Sequence, residues 1–266
     1  MRNVFIAGAT GWAGSELAKG IVKSENLRLV GALSRSHAGT NLAEFLKVES
    51  DFIPVYGNIE NALNEIKADV MIDYTNPSVA KHNIITALNK KINVVVGTSG
   101  LTEADYLEIE KVALSNNCSV LAVGNFALTM VLLQKFAEMA AKYIPDFEII
   151  DYAHEDKVDA PSGTVRELAY RLTQVRESQI HVPESEFKGL KETRGARMSG
   201  VQVHAVRLPG YVISVETLFG LKDERLTIRH DSGSSALPYV KGAILALEKV
   251  GSFKGLKRGL DSVMDF

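Results

Sequence analysis

Eleven residues near the middle of the chain, HEDKVDAPSGT from His154 to Thr164, gather a histidine, a lysine, three acids, a proline and a Ser-Gly-Thr turn. Histidine and lysine move protons and meet anions, and a helix that opens on Ser-Gly-Thr offers unpaired backbone N–H groups to a carboxylate or phosphate. The same residues are also the ordinary punctuation of a solvated loop before a capped helix. A second cluster lies at the start of the chain, where Gly8, Gly11 and Gly14 space a GxxGxxG turn through GATGWAG directly after an apolar strand. Glycines there let the backbone turn tightly and approach a pyrophosphate, with the following helix N-terminus facing the phosphate oxygens. The pattern is one residue off the GxGxxG fingerprint, and a turn that merely packs helix on strand remains the alternative.

These clusters need elements to carry them. Short runs rich in Val and Ile (NVFIA, LRLVGAL, VMIDY, NVVVG, SVLAV) alternate with helical periods, the rhythm of a parallel sheet with crossover helices. Residues 77–90 put Val79, Ala80, Ile84, Ile85, Ala87 and Leu88 on one helical side, and Thr102 with Asp105 forms a capping-box start. The strand LRLVGAL ends in Ser34-Arg35-Ser36, where dinucleotide folds usually place an acid for the ribose 2′-hydroxyl. An arginine between hydroxyls suits a 2′-phosphate, so NADPH is expected over NADH, with NADH possible.

After a helical stretch at about 128–142 the texture changes to alternating strands, FEIIDYAH, VQVHAVRLPG, YVISVETLFG and ERLTIRH, before LPYVKGAILALEKV returns to helix. The expected fold is α/β: a Rossmann-like doubly wound parallel sheet plus an α+β domain with an open mixed β-sheet. The dinucleotide-binding domain is expected over 1–125 and 237–266, the substrate-binding domain over 126–236.

The 266 residues are 46% hydrophobic and carry a net charge of −2, with no run of like charges that would suit nucleic acid or a membrane surface. Cys118, in CSVLAV, is a core residue with no partner for an internal disulfide. The chain begins without a signal-like apolar segment, which makes the cytoplasm the expectation. The six histidines are scattered and include no HExxH, so no metal site is expected. No tyrosine has a lysine four positions on, and no GxxxxGK[ST] occurs, so a short-chain dehydrogenase and a nucleotide triphosphatase both lack support.

The order of GxxGxxG, VVVGTSG at 94–100, GNF at 124–126, KVDAPSGT at 157–164, RGARMSGVQVHAVRLPG and LTIRHDS resembles the dihydrodipicolinate reductase family over nearly the whole chain. The resemblance implies NAD(P)H-dependent reduction of 4-hydroxy-tetrahydrodipicolinate to tetrahydrodipicolinate in the diaminopimelate route to lysine. It also implies a homotetramer built by the second domain. Gly8, Thr10, Gly11, Trp12, Ala13 and Gly14 are implied to hold the dinucleotide, with Ser34 and Arg35 at its ribose. Tyr74, Gly97, Thr98, Ser99, Asn125 and Phe126 complete the implied cofactor set, Ser99 also reaching the substrate. The implied substrate residues are His154, Lys157, Ser162, Gly163 and Thr164, of which His154 and Lys157 carry the chemistry on a cyclic dicarboxylate.

The sequence departs from that family where it matters. The motif normally reads His-His-x-x-Lys, and here the first histidine, the usual proton donor, is Ala153. Successive residues of an extended segment face opposite ways, so His154 does not replace it by adjacency. Lys157, a water or Asp156 are left as donors. Ser234 and Ser235 follow HDS where relatives carry an arginine, Ser99 stands for a threonine, and Trp12 is unusual inside the glycine turn. A reductase with weakened activity, a paralogue acting on another imine or keto acid, and a catalytically silent NADP-binding protein are all compatible with these departures.

Overall fold

A computed structural model describes residues 1–266 and divides the chain into two compact units, Met1–Leu128 with Ala236–Phe266, and Thr129–Ser235. No helix is long and apolar enough to cross a membrane.

The first unit runs β1 (Arg2–Ala7), α1 (Trp12–Val22), β2 (Leu27–Leu33), α2 (Leu42–Leu46), β3 (Val55–Tyr56), α3 (Ile59–Glu65), β4 (Val70–Asp73), α4 (Pro77–Asn89), β5 (Asn93–Val96), α5 (Glu103–Ser115) and β6 (Ser119–Ala122). Its seven strands, with β12 (Gly255–Arg258) supplied by the chain's C-terminal end, pair in parallel in the order β12-β6-β5-β4-β1-β2-β3. The central strands are buried on both faces, as Val4, Phe5, Ile6, Val70, Met71, Ile72, Val94 and Val95 have no exposed surface. That explains why they read as unbroken apolar runs rather than alternations. Helix α4 buries Ala80, Ile84, Ala87 and Leu88, and α5 opens on the expected Thr102–Asp105 capping box. Strand order reverses at β1, whose neighbours are β4 and β2, and ligands of such sheets sit at that reversal, outside the carboxyl ends of the strands.

The second unit runs α6 (Leu128–Ala141), β7 (Asp146–Ala153), α7 (Gly163–Val175), β8 (Ala196–Met198), β9 (Val201–Arg207), β10 (Ile213–Leu221) and β11 (Glu224–Ser232), and the chain then returns through α8 (Leu237–Lys249) and β12 (Gly255–Arg258) to the first. Its five-stranded sheet, β11-β10-β7-β9-β8, is antiparallel except for the β7–β9 pair. Alternate residues of β7 are buried, Phe147, Ile149, Asp151 and Ala153, so one face is core. Helix α7 lays Val165, Leu168, Ala169 and Leu172 inward at helical spacing.

Candidate active site

The residues expected at a dinucleotide gather at one edge of the parallel sheet because each follows the carboxyl end of a strand: Gly8 after β1, Ser34 after β2, Tyr74 after β4, Gly97 after β5 and Asn125 shortly after β6. Gly8 adopts φ +87°, and a Cβ on it would strike the Tyr74 carbonyl. A Cβ on Gly14 would strike the Gly8 carbonyl, so the turn packs backbone on backbone and only glycine fits. Gly11 N-caps α1 with no side chain on the free amides, whereas α2, α3, α4, α5 and α7 are all capped by Asn, Thr or Ser side chains. With no acid in its first turn, α1 presents bare N–H groups from Trp12, Ala13 and Gly14, the arrangement that accepts a phosphate.

Beside this turn Thr10 Oγ1 and Ser34 Oγ are 2.7 Å apart, and Ser36 Oγ lies 2.9 Å from His37 Nδ1. Arg35 is exposed and forms no ion pair. Trp12, 60% exposed, stands edge-on to Tyr239 at 5.8 Å between ring centres.

The loop after β5 is pinned from below. Asp73 is fully buried at the end of β4 and accepts four hydrogen bonds, from the Thr75 N–H (3.0 Å), the Thr75 hydroxyl (2.7 Å), Asn83 Nδ2 (2.9 Å) and the Thr98 hydroxyl (2.6 Å). The Thr98 side chain is therefore committed to positioning, while its neighbour Ser99 is exposed. Tyr74 packs against Phe126 (5.5 Å) and leaves no room for a side chain at Gly97. Its hydroxyl is buried without a partner, and that burial raises the phenol pKa. Phe126 is 4% exposed, and Asn125 caps its own turn by accepting from the Ala127 N–H at 2.9 Å.

In the second unit, the segment between β7 and α7 carries the other cluster. His154 is exposed, and its Nδ1 meets Asp156 Oδ1 at 2.7 Å, which leaves Nε2 free. Lys157 pairs with Asp159 at 2.6 Å, and this hydrogen bond, with the lysine's charge, holds the Asp159 carboxyl below its ordinary range. Ser162 is the N-cap of α7 and is 3% exposed. Its hydroxyl accepts from the Val165 N–H and donates to Asp151, so that side chain faces inward. Gly163 and Thr164 differ, since their amides and the Thr164 hydroxyl have no partner within the chain. A Cβ on Gly163 would meet only ordinary contact, so nothing in the fold itself demands glycine there. Arg166, three residues after Gly163, reaches the Pro161 carbonyl at 2.5 Å and stands 3.9 Å from Asp159. Ala153, the last residue of β7, is fully buried.

Three residues of this unit escaped the sequence reading. The fully buried Asp151 pairs with the half-buried Arg207 at 2.7 Å, and Arg166 adds positive charge at the α7 N-terminus. The signal for Asp151 was an acid on the apolar face of an alternating strand, which requires a partner. His230 of the HDS motif is a buried histidine satisfied by Thr129 at 3.0 Å, and burial lowers its pKa from 6.5.

A parallel sheet carrying a steric-only glycine turn on an uncapped helix, joined to a mixed-sheet unit with an anion-ready helix start, defines a nicotinamide-dependent oxidoreductase of two units. Comparison with known proteins makes this specific. The family described as dihydrodipicolinate reductase, N-terminus, matches residues 2–126, and its C-terminus counterpart matches 129–264. The chain belongs to the dihydrodipicolinate reductase family. It is 38% identical over 98% of its length to 97% of the 4-hydroxy-tetrahydrodipicolinate reductase of Bacillus pumilus, and 36% identical over 98% to 99% of that of Listeria monocytogenes. Among solved structures, the dipicolinate-bound dihydrodipicolinate reductase from Paenisporosarcina sp. TG-14 superposes with a TM-score of 0.89 at 34% identity, over 99% of this chain and 100% of the other. An amine dehydrogenase from Mycobacterium smegmatis shares the fold, at TM-score 0.69 and 11% identity.

Proposed function

We propose that the protein reduces 4-hydroxy-tetrahydrodipicolinate to tetrahydrodipicolinate with NADPH. The observation that carries the substrate assignment is the free start of α7. Two amides and a hydroxyl lack partners, a glycine stands where the fold needs none, and Lys157 and Arg166 supply positive charge. Such a set takes a carboxylate, by amide hydrogen bonds and the helix dipole together, and the Paenisporosarcina relative is a dipicolinate-bound enzyme.

Gly8, Gly11 and Gly14 admit the pyrophosphate to the α1 amides, and Arg35 with Ser34 and Ser36 takes a 2′-phosphate. The reduced nicotinamide supplies a hydride when bound. We assign a cofactor contact to Ser99, which is exposed after β5 next to the pinned Thr98. His154 is held through Nδ1 by Asp156 and presents Nε2 to substrate, while Lys157 neutralises a carboxylate and stands as a proton source. Because Ala153 offers no imidazole, turnover is expected below that of a relative carrying both histidines, by about 100-fold or more. We place the reaction in the cytoplasm. We further propose a homotetramer, supported by the apolar side chains Ile180, Val182 and Leu190 left exposed on the second unit.

Steady-state NADPH oxidation with freshly generated substrate tests the reading, with other cyclic imines and 2-oxo acids as controls. Turnover confined to the dicarboxylate imine supports it, and turnover indistinguishable from buffer rejects it. For the cofactor, Arg35→Ala is expected to weaken NADPH binding about tenfold or more and to leave NADH binding unchanged. Equal losses for both would remove the 2′-phosphate role.

A further inference from the structure

The α7 start is useful only if its amides and the loop before it hold one geometry, and one side chain from another strand ties both. Arg207 is the last residue of β9, paired in register with Ala153 at the end of β7. Its Nη2 donates to Asp151 Oδ2 at 2.7 Å and to the Asp159 carbonyl at 2.8 Å. Its Nη1 donates to the Asp151 carbonyl at 3.2 Å and the Val206 carbonyl at 2.9 Å. Asp151 has no exposed surface, and its remaining bonds go to Ser162, from the N–H to Oδ2 at 2.7 Å and from the hydroxyl to Oδ1 at 2.9 Å. A carboxylate buried on an apolar sheet face is costly unless paired and fully hydrogen-bonded. Its partners here are a planar guanidinium and the N-cap of α7. One carboxylate thus fixes where α7 begins, and the same guanidinium fixes Asp159, which in turn pairs with Lys157 at 2.6 Å.

We propose that Arg207, acting through Asp151 and Asp159, is a positioning residue for dicarboxylate binding. It sets the Gly163 and Thr164 amides and the Lys157 ammonium at the spacing one carboxylate requires. This rests on the reading of the α7 start as the dicarboxylate seat. The role depends on the fork. A lysine ammonium at 207 keeps the charge but, as a compact point donor, does not hold a carboxylate and three separate carbonyls at once. Ser162 belongs to the same device, since its side chain faces Asp151 while its successors face outward.

The test is Arg207→Lys in the full-length protein, with dipicolinate binding measured by competition against substrate and by titration. The expected result is a rise of about tenfold or more in the KM for substrate and in the dissociation constant for dipicolinate, with kcat and NADPH affinity changed less than about threefold, because the lost interaction is one made in ground and transition states alike. A merely structural arginine would behave otherwise. It would lower the melting temperature or the folded fraction, while the molecules that remain folded kept native KM and dipicolinate affinity. Asp151→Asn keeps the volume and cuts the same bridge from its other end, so it supplies the measurement if Arg207→Lys does not fold. Native dipicolinate affinity in either folded variant overturns the proposal. Absence of turnover and of dipicolinate binding in the wild type would instead reject the functional reading, which separates the two failures.

Discussion

Each unit of the molecule buries one aspartate completely beneath a loop of the candidate site, and the two are neutralised differently. Asp73, under the loop that follows β5, is surrounded by neutral donors: one backbone N–H, two threonine hydroxyls and one asparagine amide. Asp151, under the α7 start, is met by an arginine from a different strand and by a serine N-cap. Three of Asp73's four donors, on Thr75 and Asn83, come from the same chain segment and form with the β4–α4 unit itself, and the fourth, the Thr98 hydroxyl, ties on the loop after β5. Arg207 lies 56 residues from Asp151, so the loop before α7 is set only when the parallel β7–β9 pair is in place. The β4–α4 connection is held by bonds between neighbours in sequence and neutral donors, whereas the start of α7 is fixed by a charge brought from a distant strand.

The widest difference between the two regions is expected from removing one partner of each aspartate. Arg207→Ala leaves a buried carboxylate without its counter-charge and should cost about 3–5 kcal/mol of stability. Thr98→Val deletes one neutral donor of four and should cost about 1.5–3 kcal/mol, the range for a hydrogen bond to a charged group. Urea titration of both variants checks this, and equal losses would erase the distinction.

A smaller effect separates the units by pH. Burial holds the His230 pKa below 6.5, so the folded second unit favours the neutral ring while the unfolded chain takes up a proton at higher pH. The stability contributed by the neutral ring is therefore fully present above 6.5 and is lost as pH falls through the lower folded value. Melting temperature should decline on going from about pH 7 to about pH 5, and His230→Gln should flatten that decline. A decline of the same steepness in the variant would assign the acid sensitivity to other groups.

What was readable in the sequence follows the same division. The βα rhythm, the GxxGxxG turn and the Thr102 capping box are local patterns, and the structure realises each as strand, steric-only turn and cap. The order of motifs also pointed to the family that the comparisons establish. The short elements α2, β3 and α3, and β12 pairing back onto β6, carry too little period to announce themselves. Side-chain commitment was not legible either: Thr98 and Ser162 read as ligand contacts from their motifs, yet their hydroxyls are spent on Asp73 and Asp151. Arg207 stood in a strand pattern whose register, and therefore whose partner, depends on residues far away.

The proposed reaction delivers a hydride from nicotinamide to a cyclic dicarboxylate. Turnover with NADPH deuterated at the transferring C4 position tests it most directly. One deuterium is expected in the carbon skeleton of the product for each NADPH oxidised, with dipicolinate blocking the transfer competitively. Oxidation of NADPH without label in the product, or no oxidation while both NADPH and dipicolinate bind tightly, would contradict it.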